Sequence, residues 1–367
     1  MSEHVLESHE ASTARLGIID CDIHPMLRSD VALHPYLARR WREELETFGF
    51  RSCQPYLRSH SFPKATPALS RRDSWPPAGG PPGSDLSFMR KQHLDPYGIE
   101  TGILQVLFPS GKDQRNPAFG AALCTALNDW QVSEWTEPEP RLKASITIPC
   151  EDAEASVAEI ERCAARKDFV SIFLTPRTLE PLGRKRYWPI FGAAVRHGLP
   201  LGIHTGGTNG MPMTSGGWPS FYFEDHFANA IAIQPLLTSL VFEGVFETFP
   251  TLRVVMIEGG FGWAPALSWR LDRLWARMRS EVPHVRRPPS DYIRRQVWFA
   301  TQPVEEPEHP RYLRDLFAWI GQDRLVFASD YPHWDMDDPR LAFKVALRET
   351  EARALLAGNA RAAYGLA

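Results

Sequence analysis

The feature that most restricts this chain is a rhythm. Short β-favouring apolar runs recur at residues 18–24, 98–107, 142–149, 169–175, 199–204, 252–259, 297–301 and 324–329. Helical patterns fall between most of them, at residues 119–135, 151–166, 187–197, 225–246, 264–281 and 311–319, and short helices close the chain. Parallel strands need a long crossover connection, so alternation of this kind implies a parallel sheet. Eight such units predict an α/β fold of the (β/α)8 TIM-barrel type. A doubly wound open sheet is the alternative, weakened because no GxGxxG follows the first strand. One barrel accounts for residues 17–367, after a loose polar tail over residues 1–16.

The rhythm breaks once. Residues 25–95 carry only a short helical pattern at 37–47, and Trp75-Pro76-Pro77-Ala78-Gly79-Gly80-Pro81-Pro82 rules out regular structure around it. This reads as a long Pro-rich insertion after strand 1, either a lid over the site or a surface loop.

Composition removes several function classes. A formal net charge of -3 gives no basic excess for nucleic acid, and no apolar run reaches the length of a membrane span. The first fifteen residues lack the apolar segment of a secretory signal. Five cysteines (Cys21, Cys53, Cys124, Cys150 and Cys163), odd in number and without a CxxC pair, fit a reducing, cytoplasmic setting.

Functional groups of such barrels stand at the C-terminal ends of strands. Strand 1 reads Ile18-Ile19-Asp20-Cys21-Asp22-Ile23-His24, and side chains two apart on a strand share a face, which places Asp20, Asp22 and His24 together. Strand 5 ends in His204-Thr205-Gly206-Gly207, strand 6 in Glu258-Gly259-Gly260, and strand 8 in Ser329-Asp330-Tyr331-Pro332-His333-Trp334-Asp335. Asp22, His24, His204 and Asp330 form a two-imidazole, two-carboxylate set suited to zinc, manganese or iron. Each residue also has an ordinary reading: a hydrogen-bonded core histidine, a turn-forming Asp330, a helix-capping Glu258. Four strands ending together in ligand-type residues favour the metal. Strand 4 has no lysine at its C-terminal end; Lys167 precedes the strand, so a carbamylated lysine bridging two ions is not expected.

These motifs, together with Phe249-Pro250-Thr251-Leu252-Arg253-Val254-Val255-Met256-Ile257 leading into strand 6's end and the closing Gly358-Asn359-Ala360-Arg361, resemble the amidohydrolase superfamily. The likeness is to the branch that includes aminocarboxymuconate-semialdehyde and resorcylate-type decarboxylases. It implies a catalytic divalent ion on Asp22, His24, His204 and Asp330, with Asp330 also a candidate base. Two departures stand out. Asp22 replaces the first histidine of the usual His-x-His, a harder site that leans toward manganese or iron. Glu258 stands where the decarboxylases carry an acid/base histidine.

The implied catalytic group is Asp330, Glu258, His226 and His333, with Asp335 or His333 orienting substrate or ligands. His226 equally fits simple hydrogen bonding at a helix start. With Glu258 it would supply a second metal, and a dinuclear iron oxygenase is therefore one alternative; a catalytically silent partner subunit is another. Trp218, Phe221, Tyr222, Trp263 and Trp334 are expected to wall a pocket for a small organic acid or amide, with Lys112 and Arg115 as carboxylate contacts. Hydrolysis and nonoxidative decarboxylation both suit such a site. The expected partners are this small substrate and further subunits, like or unlike, with no nucleic acid and no membrane.

Overall fold

The computed structural model describes residues 17–51, 67–176, 178–205, 214, 216–217 and 219–367. Eight parallel strands follow one another in chain order: β1 (Ile18–Ile23), β2 (Ile99–Leu104), β3 (Leu142–Thr147), β4 (Phe169–Leu174), β5 (Leu201–His204), β6 (Val254–Ile257), β7 (Val297–Ala300) and β8 (Leu325–Val326). The seam between β8 and β1 is closed by Cys21 N–H donating to Phe327 O at 3.0 Å, Asp330 N–H to Asp22 O at 3.1 Å and His24 N–H to Tyr331 O at 2.8 Å. The sheet is therefore a barrel, as the rhythm predicts.

The longer helices among the described residues are α1 (Arg39–Phe48), α2 (Pro117–Gln131), α3 (Ala153–Ala164), α4 (Trp188–His197), α5 (Tyr222–Phe242), α6 (Ala264–Met278), α7 (Pro289–Gln296) and α8 (Pro310–Ile320). Their starts and stops follow local chemistry. Asn116 and Asp152 cap α2 and α3 by accepting first-turn N–H bonds, and Gly198 ends α4 in the left-handed region at φ 64°. α7 is not among the helical patterns read from the sequence; Pro289 occupies its first turn, where no N–H bond is lost.

Two apolar layers hold the barrel. Outward strand residues such as Ile18, Leu104, Ile146 and Ile203 pack on Leu123, Ile160, Phe191 and Leu237 of the helices. Inside, Ile19, Cys21, Ile103, Val255, Trp298 and Val326 meet Ala360 and Tyr364 of the C-terminal helical turns, which plug the far end. Each large buried side chain contributes roughly 1.5–3 kcal/mol.

One expectation is corrected. Asp20 does not share a face with Asp22 and His24. β1 pairs Asp20 with Gly102 and Ile23 with Leu104, three steps on one strand against two on the other. This bulge re-aims the side chains. Cys21 and Asp22 both turn inward, while Asp20 turns outward to His93 and Ser329.

The described part of the insertion packs against the chain beyond β1 and β8. Met26 N–H donates to Gly83 O at 2.9 Å, Trp334 N–H to Leu69 O at 2.9 Å and Arg71 N–H to Pro332 O at 3.1 Å. Gly83 is required there: at φ +78°, a Cβ would stand 2.3 Å from the His24 carbonyl oxygen. Residues 52–66 of the insertion, Cys53 among them, lie outside the described residues. The other four cysteines are buried and unpaired, and among the described residues no helix is long and apolar enough to cross a membrane.

Candidate metal centre

Asp22, His24 and His204 meet at the C-terminal mouth of the barrel, all buried. His24 Nε2 lies 3.3 Å from Asp22 Oδ1 and 2.8 Å from Asp330 Oδ1; His204 Nε2 lies 3.3 Å from Asp22 Oδ2 and 3.4 Å from Glu258 Oε2. None of these contacts has hydrogen-bond geometry: both Asp22 oxygens and both Nε2 atoms are left without a hydrogen-bond partner. Four orphaned buried atoms aimed at one point are costly unless a cation joins them.

The surrounding bonds prepare the rings for that role. His24 Nδ1 faces Gln105 O at 2.9 Å and His204 Nδ1 faces Thr205 O. A carbonyl only accepts, so each Nδ1 carries a proton and Nε2 is the nitrogen that offers a lone pair once the ring is neutral. Burial opposes charging of these rings, but the Asp22 carboxylate outweighs it and raises both above the ordinary histidine value. Burial likewise opposes ionisation of Asp22, and the two imidazoles hold it well below the usual carboxylate range. The pocket attracts positive charge, and its mixed nitrogen and oxygen donors fit a divalent transition ion.

A second triplet, His24, Asp330 and His333, overlaps the first through His24. Asp330 Oδ1 is 2.6 Å from His333 Nδ1, and Asp330 Oδ2 accepts from Gln302 Nε2 at 3.2 Å. The four expected ligands are thus brought together, with Asp330 reached through His24 and shared with His333. Asp330 and Glu258 both have positive φ, 64° and 54°. Left-handed backbone at a non-glycine residue costs about 1–2 kcal/mol, and such outliers gather at functional sites.

Glu258 borders the centre without joining either triplet. Thr205 Oγ1 donates to its Oε2 at 2.9 Å, and Asn229 Nδ2 approaches Oε1 at 3.4 Å. Burial, reinforced by the Asp330 carboxylate, pushes its carboxyl up to about 7. His226 Nε2 stands 3.0 Å from Asp335 Oδ2, and Gln302 Nε2 also donates to that oxygen at 3.1 Å. Asp335 raises the His226 imidazole. Among the described residues, His226 and Glu258 enter no group able to hold a second ion.

Of the expected aromatic wall, Tyr222 and Trp334 stand together above His226, with Trp334 Nε1 donating to the Tyr222 hydroxyl at 3.0 Å. Trp263 turns to the core, donating to Gly259 O at 2.8 Å and packing edge-on against Phe299. Phe221 is 67% exposed, and Trp218 lies outside the described residues. The Lys112 ammonium is buried and donates to the Thr175 and Pro176 carbonyls, which occupies the group expected to meet a carboxylate.

Thr205, Asn229 and Gln302 were not singled out from sequence. Thr205 follows directly on β5 and Gln302 stands two residues beyond β7, so the strand-end rule that finds His204 could have found them; neutral side chains simply carry no charge signal. Asn229 sits inside α5 and had none.

The comparisons agree with this geometry. The amidohydrolase family model matches residues 19–366. A gamma-resorcylate decarboxylase of Polaromonas sp. is 23% identical over 301 residues, 77% of this chain and 88% of that protein. The 5-carboxyvanillate decarboxylase of Sphingomonas paucimobilis shares the barrel at a TM-score of 0.70 and 20% identity, over 96% of this chain and 100% of that one. The enzyme of that name from Novosphingobium aromaticivorans, solved with manganese and 4-hydroxy-3-methoxy-5-nitrobenzoic acid, aligns at 0.71 and 18% identity, over 96% and 97%. With the model spanning nearly the whole barrel and the strand-end groups in place, the chain belongs to the amidohydrolase family.

Proposed function

We propose that this chain is a metal-dependent carboxy-lyase that releases carbon dioxide, without oxidation, from a small hydroxylated aromatic acid. The observation that carries the reading is the convergence of the orphaned Asp22, His24 and His204 atoms beside Glu258, a carboxyl poised at about 7. The names of the similar proteins support the substrate class.

Asp22, His24, His204 and Asp330 are the residues that would hold the ion. A divalent ion held there would supply positive charge for binding an anionic substrate. Glu258 protonates the ring carbon that bears the carboxylate. The carbon–carbon bond then breaks, its electron pair restores the aromatic ring, carbon dioxide leaves, and Glu258 regains a proton from solvent. A group near 7 can both give and recover that proton at neutral pH. Thr205 and Asn229 orient the Glu258 carboxyl, His333 and Gln302 fix Asp330, and Tyr222 with Trp334 forms an aromatic wall that limits water.

A second reading, hydrolysis of a small amide, rests on the same Glu258 acting as base toward water. Turnover of dihydroxy- and methoxyhydroxybenzoates, and of the corresponding benzamides, in deuterium oxide separates the two. Carbon dioxide release with deuterium at the vacated ring carbon supports the lyase; amide cleavage with no such release supports the hydrolase.

A further inference from the structure

We infer that Asp20 is a positioning residue that sets the affinity of the metal centre from outside the barrel; the inference rests on the metal reading above. Asp20 is fully buried and points away from the ion-binding side of β1. Its carboxylate accepts four donors. Oδ1 takes the backbone N–H of Asp22 at 3.2 Å and of Ser329 at 2.8 Å. Oδ2 takes the Ser329 hydroxyl at 2.5 Å and His93 Nε2 at 2.7 Å. The Ser329 hydroxyl oxygen in turn accepts the Tyr331 N–H at 3.1 Å.

The consequence is geometric. Asp22 and Asp330 come from opposite ends of the chain and meet across the seam where β8 pairs with β1 only irregularly. Asp20 Oδ1 grips Asp22's own N–H and the N–H immediately before Asp330, so one atom fixes the separation of two carboxylate-bearing segments. The Asp20 bonds lie where the β1 bulge leaves the ladder interrupted, and beside Asp330, whose backbone holds φ 64°. His93, stacked on Tyr331 with ring centroids 4.5 Å apart, ties the same knot to the insertion. Outer-shell groups that orient ligands typically change metal affinity by about 10–100-fold when removed.

The test compares Asp20→Ala, Ser329→Ala and Gln296→Ala in the full chain. Gln296 binds the Phe249 and Leu252 carbonyls just before β7, at the opposite end of the barrel, and serves as a stability control. Metal-free protein is titrated with manganese by calorimetry, and thermal unfolding is recorded without metal. The expected result is a Kd weakened about 10–100-fold for Asp20→Ala and less for Ser329→Ala, with Gln296→Ala lowering Tm but keeping the wild-type Kd. If Asp20→Ala does not fold, Ser329→Ala decides. Wild-type affinity in every folded clamp variant, or equal weakening in Gln296→Ala, overturns the inference alone. A wild-type protein that binds no manganese, zinc or iron overturns the metal reading itself.

Discussion

Glu258→Gln should move activity and stability in opposite directions. The substitution keeps the side-chain shape and an oxygen for the Thr205 hydroxyl, but removes the ionisable proton. Loss of a positioned general acid costs about 10²–10⁴-fold in kcat. The stability effect follows from linkage. The carboxyl ionises at 4.5 in the ordinary case and at about 7 in the metal-free fold, raised by burial and by Asp330. Between those values the folded chain keeps a proton that the unfolded chain has lost. Stability of the metal-free protein therefore falls as pH rises from 4.5, and the loss is complete above about 7. The gap corresponds to at most about 3 kcal/mol, reduced by any relaxation around the charge. Gln carries no such penalty. Urea unfolding of chelator-treated protein should show Glu258→Gln more stable than wild type at about pH 8 and little different at about pH 4. Carbon dioxide release with manganese restored should meanwhile collapse. A variant that turns over at the wild-type rate, or that is less stable than wild type at the higher pH, refutes the reasoning.

Asp330→Ala should lose activity by at least about 10³-fold and weaken metal retention while the far-ultraviolet circular dichroism stays unchanged, since it removes a carboxylate that His333 and Gln302 fix beside His24. Manganese affinity should fall as pH drops, because His24 and His204 are raised by Asp22 and an entering ion must displace their protons; calorimetry in buffers of different ionisation enthalpy will report proton release. Gly83→Ala, which would force a Cβ to within 2.3 Å of the His24 carbonyl, should lower Tm and weaken metal binding together, at a cost of at least about 1 kcal/mol. Glu139, held at about 2 chiefly by Arg141 and then Arg90, contributes stability that is present above 4.5 and lost as pH falls toward 2. With both arginines about a third exposed, its share is on the order of 1 kcal/mol, measurable as a smaller acid-side slope in Glu139→Gln.

The barrel was legible because its signal is redundant. Each helix–strand alternation repeats the same instruction, so an error of a few residues at β8, read as 324–329 and found at Leu325–Val326, leaves the topology intact. The candidate metal site was legible because His24, His204, Asp330 and the bordering Glu258 all stand at or just past strand ends, and charged or imidazole groups there are conspicuous. Period-two reasoning failed at Asp20, since a single bulge shifts every later side chain on the strand and nothing in Ile19-Asp20-Cys21-Asp22 announces it. Gln302 and Asn229 were missed for a different reason: an amide that tunes a carboxylate looks, in sequence, like any other amide. His93 lay in an insertion without periodicity, where only the folded chain brings it to Asp20.

The account turns on one cation held at the mouth of the barrel. Crystals of the full chain grown with manganese, measured for anomalous scattering at the metal's absorption edge, test it most directly. One strong peak at about 2.0–2.2 Å from His24 Nε2, His204 Nε2 and an Asp22 oxygen, with Asp330 alongside, is the predicted result. Density showing those four side chains joined only to one another, with manganese absent or bound elsewhere, would contradict it.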